Sequence, residues 1–211
     1  MNESRFEASL ACSWNFLNRY YNRNSSLNIF EFIIYSRDAS ARVLIDDTSE
    51  PDSAFLAIEF PESLRQQLNN SPCPDLHSLS VICEEISHFF HLTDAAEQNL
   101  QVSALQLEAW GEIDRFLSFL HWNSFFPHLA LQNHFHNCRE VCDVLFEQRD
   151  FVAENCELYR EAESLAFHHL KRAFSHCWSN QQIDCSSVDP RAQNYLRGVV
   201  GTGRAFIQIA G

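Results

Sequence analysis

Between residues 77 and 95, apolar side chains recur at helical spacing around more than half of a helix circumference. Leu79, Ile82, Ile86, Phe89 and Phe90 form one face of that wheel, and Val81 and Leu92 carry it round the side. A helix apolar over so wide an arc cannot lie on a surface. It predicts a central element that other parts of the chain must cover, and any polar residue inside the arc then calls for a physical explanation.

The covering elements are legible on both sides. Residues 5–22 place Phe6, Leu10, Trp14 and Leu17 on one helical stripe. Three segments of β-like composition follow, Leu27–Tyr35, Ala41–Ile45 and Ala54–Phe60, the last two separated by the turn-forming run 46–53. Pro61 is placed to open a short helix ending near Leu68. The polar stretch 69–75, with Pro72 and Pro74, reads as a boundary, and beyond it helices are expected near 77–95, 100–122, 129–148, 152–178 and 190–198. Asp189 and Pro190 have the character of an N-cap and a first-turn proline. The expected fold is α+β and predominantly helical: a small N-terminal antiparallel sheet of about three strands, then a C-terminal bundle of four to five helices. The expected parts are 1–70 and 76–211, in one compact unit.

Composition narrows the class. With 45% hydrophobic residues and eighteen Phe among 211, the chain can bury a sizeable, aromatic core, which argues against disorder. The formal charge is -13, and Lys171 is the sole lysine. No basic run appears, so neither nucleic acid nor an anionic membrane is an expected partner, whereas a cationic protein or a metal ion would suit the charge. Met1-Asn2-Glu3-Ser4 does not begin a secretory signal. A cytoplasmic protein with reduced cysteines is the expectation, and the eight Cys include no Cys-x-x-Cys pair that would suggest a zinc knuckle.

Glu85 is the polar residue that most needs explaining. It falls between Phe89 and Leu92 on the wheel, inside the apolar arc, with His88 one turn on at the arc's edge and Glu84 and His91 beyond it on the polar side. A bare buried carboxylate costs several kcal/mol, so Glu85 requires a partner, a proton or a metal. Three readings stay open: a structural pair with an Arg or His, a metal ligand set shared with His88, or a solvated side chain.

Other helices offer similar groups. Glu112 lies beside the stripe Val102, Leu105, Ala109, Ile113, Phe116 and Leu120, with Glu108 further out. Glu163 and His169 fall within the stripe Tyr159, Ala162, Ala166, Leu170, Ala173 and Cys177, and His134 joins Leu131, Phe135, Cys138 and Val141. Acids and histidines on facing helices are what a carboxylate–histidine metal centre in a bundle uses. The candidate ligands are therefore Glu85, His88, Glu112, Glu163 and His169, with Glu108 in reserve, for iron, manganese or zinc. Each has a structural counterpart: Glu112 with Arg115, Glu163 with Arg160 or Arg172, and each histidine as a hydrogen-bonded core residue. The string Glu84-Glu85-Ile86-Ser87-His88 resembles the Glu-x-x-His helix of ferritin-like di-iron proteins over five residues. It departs from them in having one such motif, in the spacing of Glu163 to His168 and His169, and in its β-like N-terminal third.

Three functions follow as expectations. One is a helical metalloprotein, an iron-dependent redox enzyme being the sharpest form. The second is a non-catalytic interaction or regulatory module whose buried Glu, His and Arg groups are structural. Its protein partner would bind through an aromatic patch at Trp122 and Phe125, residues that would equally serve as a hydrophobic plug. The third is a metal-free enzyme using Glu85 as general acid or base. Zinc-peptidase, nucleophile-elbow and nucleotide-loop motifs are absent, and the glycines at 198, 201 and 203 lack the preceding strand that a phosphate loop needs.

Overall fold

The computed structural model describes residues 4–37, 40–50, 53–71, 75–125, 137–146, 156–175, 178 and 190–202. Among them the chain is mostly helical, with one small three-stranded mixed sheet. It divides into two compact units, Met1–Leu100 and Gln101–Gly211. No helix among the described residues is long and apolar enough to cross a membrane.

The first unit begins with α1, Arg5–Tyr20, opened by a capping box in which Ser4 and Glu7 exchange backbone and side-chain hydrogen bonds. The sheet follows as β1, Ile33–Ser36; β2, Arg42–Glu50; and β3, Ser53–Pro61. Next come α2, Glu62–Asn70, and α3, Leu76–Glu97, capped by the Asp75 side chain, which accepts from the Ser78 backbone N–H at 2.8 Å. The predicted stripe of α1 is buried as expected. Phe6 meets Phe60 of β3 edge-on with ring centres 5.4 Å apart, and Trp14 packs on Phe89 and Phe90 of α3.

The expected antiparallel meander is corrected. β1 and β2 both flank β3, with β1 parallel to it and β2 antiparallel. A meander would place β2 in the middle, where both edges lose water. β2 carries Arg42 and a run of acids, whereas β3 carries Ile58 and Phe60, both fully buried, so the apolar strand takes the centre. The first β-like segment is also shorter than predicted. Asn28 caps a 3-10 turn over Ile29–Phe32 and leaves only Ile33–Ser36 as strand.

The polar stretch at 69–75 falls within the first unit's span of the chain, with α2 ending in it at Asn70 and α3 beginning after it at Leu76. α3 packs on α1 and on β2 and β3, so the division between units falls after it rather than before it. Its burial runs nearly all round, and His91, expected on a polar side, is instead buried edge-on against Tyr21 and Phe90.

The second unit holds α4, Ala104–Phe125; α5, Cys138–Phe146; α6, Cys156–Ala173; and α7, Pro190–Thr202. Ser103 and Gln106 form the box that starts α4. The predicted helix at 129–148 is seen from Cys138, started by Asn137, which accepts from the Glu140 N–H at 3.0 Å. His134, Cys177, Asp189 and the glycines beyond Thr202 lie outside the described residues. α4 is buried at every position from Ala109 to Leu120. Its densest packing is on α6, where Ala162, Ala166 and Ala173 are buried small residues that let two helices approach closely. Phe116 and Phe174 close that contact, 5.4 Å apart.

Candidate functional site

The five candidate ligands do not share one unit. Glu85 and His88 stand on α3 in the first; Glu112, Glu163 and His169 stand on α4 and α6 in the second.

In the first unit, i,i+3 spacing brings Glu85 and His88 side by side, with Glu85 Oε2 3.9 Å from His88 Nδ1 and both side chains about nine-tenths buried. That separation exceeds a hydrogen bond, so their attraction grows only when the imidazole is protonated. The wheel placed Glu85 correctly inside the buried arc. A separate cavity of about 220 Å³ in this unit is lined by Trp14, Asn22, Arg23, Phe90, Asp94 and Glu97, and none of the candidate residues reaches it. Arg23 and Asp94 close part of its wall with an ion pair at 2.6 Å.

In the second unit, Glu112 is held by Arg115, whose Nη1 donates to Oε2 at 2.6 Å, with both side chains about 4% exposed. The i,i+3 spacing makes the contact possible, and burial of α4 all round makes it necessary, since either charge alone would lack water. Asp114 and Ser118 are also fully buried on this helix.

His169 is engaged elsewhere. Its Nδ1 lies 2.8 Å from the Tyr195 hydroxyl of α7. The Arg172 guanidinium sits over the Tyr195 ring at 5.2 Å. Which of the two groups donates in the His169–Tyr195 contact is set by the imidazole tautomer. Burial, with His168 and Arg172 adding to it, pushes the His169 pKa down to about 4. Burial likewise raises Tyr195 above its ordinary value, against the opposing pull of Arg172. Both groups are neutral at pH 7, and their contact ties α6 to α7.

Glu163 and Glu108 are only partly buried. Among the described residues, no three His, Cys, Asp or Glu side chains assemble into a set that could hold a metal ion. Trp122 is 1% exposed; the side chain of Phe125 lies outside the described residues. Sequence reasoning missed Tyr195, although its spacing to Ala192 and Val199 puts it on the apolar face of its helix. Asp114 had no such signal, being about 100° from the Ile113 stripe.

No protein family, no curated protein and no solved structure matches the chain.

Proposed function

We propose that this protein is a non-catalytic interaction or regulatory module. Its buried Glu, His and Arg groups hold helices in register, and its partner binding resides on an acidic surface with apolar residues. The observation that carries this reading is the Glu112–Arg115 pair. A carboxylate already bound by a buried guanidinium is a poor metal ligand, because an incoming cation must displace the guanidinium and leave that charge stranded. His169, committed to Tyr195, supports the same view. The first unit carries fifteen acidic residues against six Lys and Arg, which favours a cationic partner.

The competing reading is a transition-metal protein containing iron, manganese or zinc. One observation favours it: Glu85 and His88 lie on successive turns of α3 with a carboxylate oxygen and an imidazole nitrogen 3.9 Å apart. Elemental analysis of the purified full chain, before and after anaerobic incubation with Fe(II), Mn(II) or Zn(II), separates the two. The module reading predicts well under one metal per chain throughout. Stoichiometric metal lost in Glu85→Gln and in His88→Asn would sink it.

A further inference from the structure

The β2–β3 hairpin exposes two large apolar side chains. Ile45 is 56% exposed and Phe55 is 61% exposed. They lie on opposite faces: Ile45 pairs with Leu56, on the face that carries Ile58 and Phe60, while Phe55 pairs with Asp46 on the other face. Among the described residues β2 is an edge strand, with β3 its one neighbour in the sheet. Edges are normally protected by lysine, proline, bulges or a covering element; here the β2–β3 register is irregular between Asp46 and Glu50, so the regular part of the edge is Arg42–Asp46. Beyond Arg42, the hairpin stretch 43–58 contains no lysine, arginine or histidine, and four acids: Asp46, Asp47, Glu50 and Asp52.

Such an edge can be covered by strand addition, in which an extended segment contributes main-chain hydrogen bonds. A second copy of this chain would bring its own acids against these, and like charges on neighbouring strands repel. A basic segment is attracted instead. Building on the interaction-module reading, we infer that the β2 edge binds an extended segment of a partner protein whose residues alternate between apolar and basic. The apolar side chains would lie beside Val43 and Ile45, and the basic ones beside Leu44 and Asp46, because those pairs alternate between the two faces of β2.

The test uses the full chain and a labelled synthetic peptide of four Lys-Val repeats, followed by fluorescence anisotropy at 0.15 M salt. A second peptide, Lys-Lys-Val-Val repeated twice, has the same composition without the alternation. The alternating peptide should bind at least about fivefold more tightly than the control. Ile45→Lys should weaken it at least about tenfold, with the circular dichroism spectrum unchanged. Asp46→Lys gives a second reading should Ile45→Lys fold poorly, and it should also weaken binding. Equal binding of the two peptides overturns the proposal, because charge alone would account for it. No binding of the alternating peptide overturns it as well. Equal binding to wild type and both variants overturns this surface while leaving the interaction-module reading standing. A wild-type dimer that Ile45→Lys converts to monomer assigns the edge to a second copy and also overturns it.

Discussion

Glu112 and Arg115 form an ion pair at 2.6 Å with both side chains about 4% exposed. Removing one partner strands the other in a site without water, at a cost of about 3–5 kcal/mol. Arg115→Met is therefore predicted to lower the stability of the second unit by about that amount in urea unfolding. The fluorescence of Trp110, Trp122 and Trp178, all buried in this unit, reports the transition. Adding Glu112→Met should recover most of the loss. A double variant no more stable than the single one would show that loss of Arg115 does not leave Glu112 stranded.

The His169–Tyr195 contact predicts a pH dependence of known sign. The unfolded chain takes a proton at His169 below about pH 6.5, whereas burial, His168 and Arg172 hold the folded-state pKa down to about 4. Between those values the unfolded state binds the extra proton. Stability is therefore lost as pH falls from about 6.5 to about 4, by up to about 3 kcal/mol, and the loss levels off below. His169→Gln can both donate to and accept from Tyr195 without titrating, and it should flatten that part of the stability profile. An unchanged slope would remove His169 as its source.

Cys142 is fully buried, and burial, together with Cys138 and Asp143 beside it, pushes its thiol well above the ordinary range. The thiolate is the reactive form, so alkylation by iodoacetamide at pH 8 should run on the order of 100-fold or more slower than for an exposed cysteine. Mass spectrometry should find Cys138 and Cys142 unlabelled in the native chain and labelled in urea. Rapid native labelling would contradict the packing of α5.

The alanine stripe of α6 should tolerate little. Ala166 is fully buried on the helix that packs most closely on α4. Ala166→Leu must force the helices apart, for a predicted loss of about 1–3 kcal/mol in urea unfolding. Ala166→Ser adds one atom and should cost less. A leucine variant as stable as wild type would show that the interface holds unfilled space.

Several of these features could be read from the sequence because they are local. The stripe Phe6, Leu10, Trp14 and Leu17 and the placement of Glu85 in a buried arc follow from helical spacing alone. The possible pairing of Glu112 with Arg115 followed from their separation by three. Strand order did not follow, because it depends on which of two β segments better tolerates losing water on both edges, a comparison across the whole sheet. His91 was misplaced because the wheel describes one helix and not how many neighbours enclose it. The link from His169 to Tyr195 joins residues 26 apart on two helices, and no spacing rule reaches across that gap.

The claim that the buried polar groups are structural is tested most directly by scanning calorimetry of the full chain. The scans are run with a chelator and with excess Fe(II), Mn(II) or Zn(II). A resident metal held 100-fold above its dissociation constant would add about 2.7 kcal/mol to the folded state and raise the melting temperature by several degrees. The account predicts superimposable scans for wild type with and without metal. A clear rise with one metal, lost in Glu85→Gln or Glu112→Gln, would contradict it.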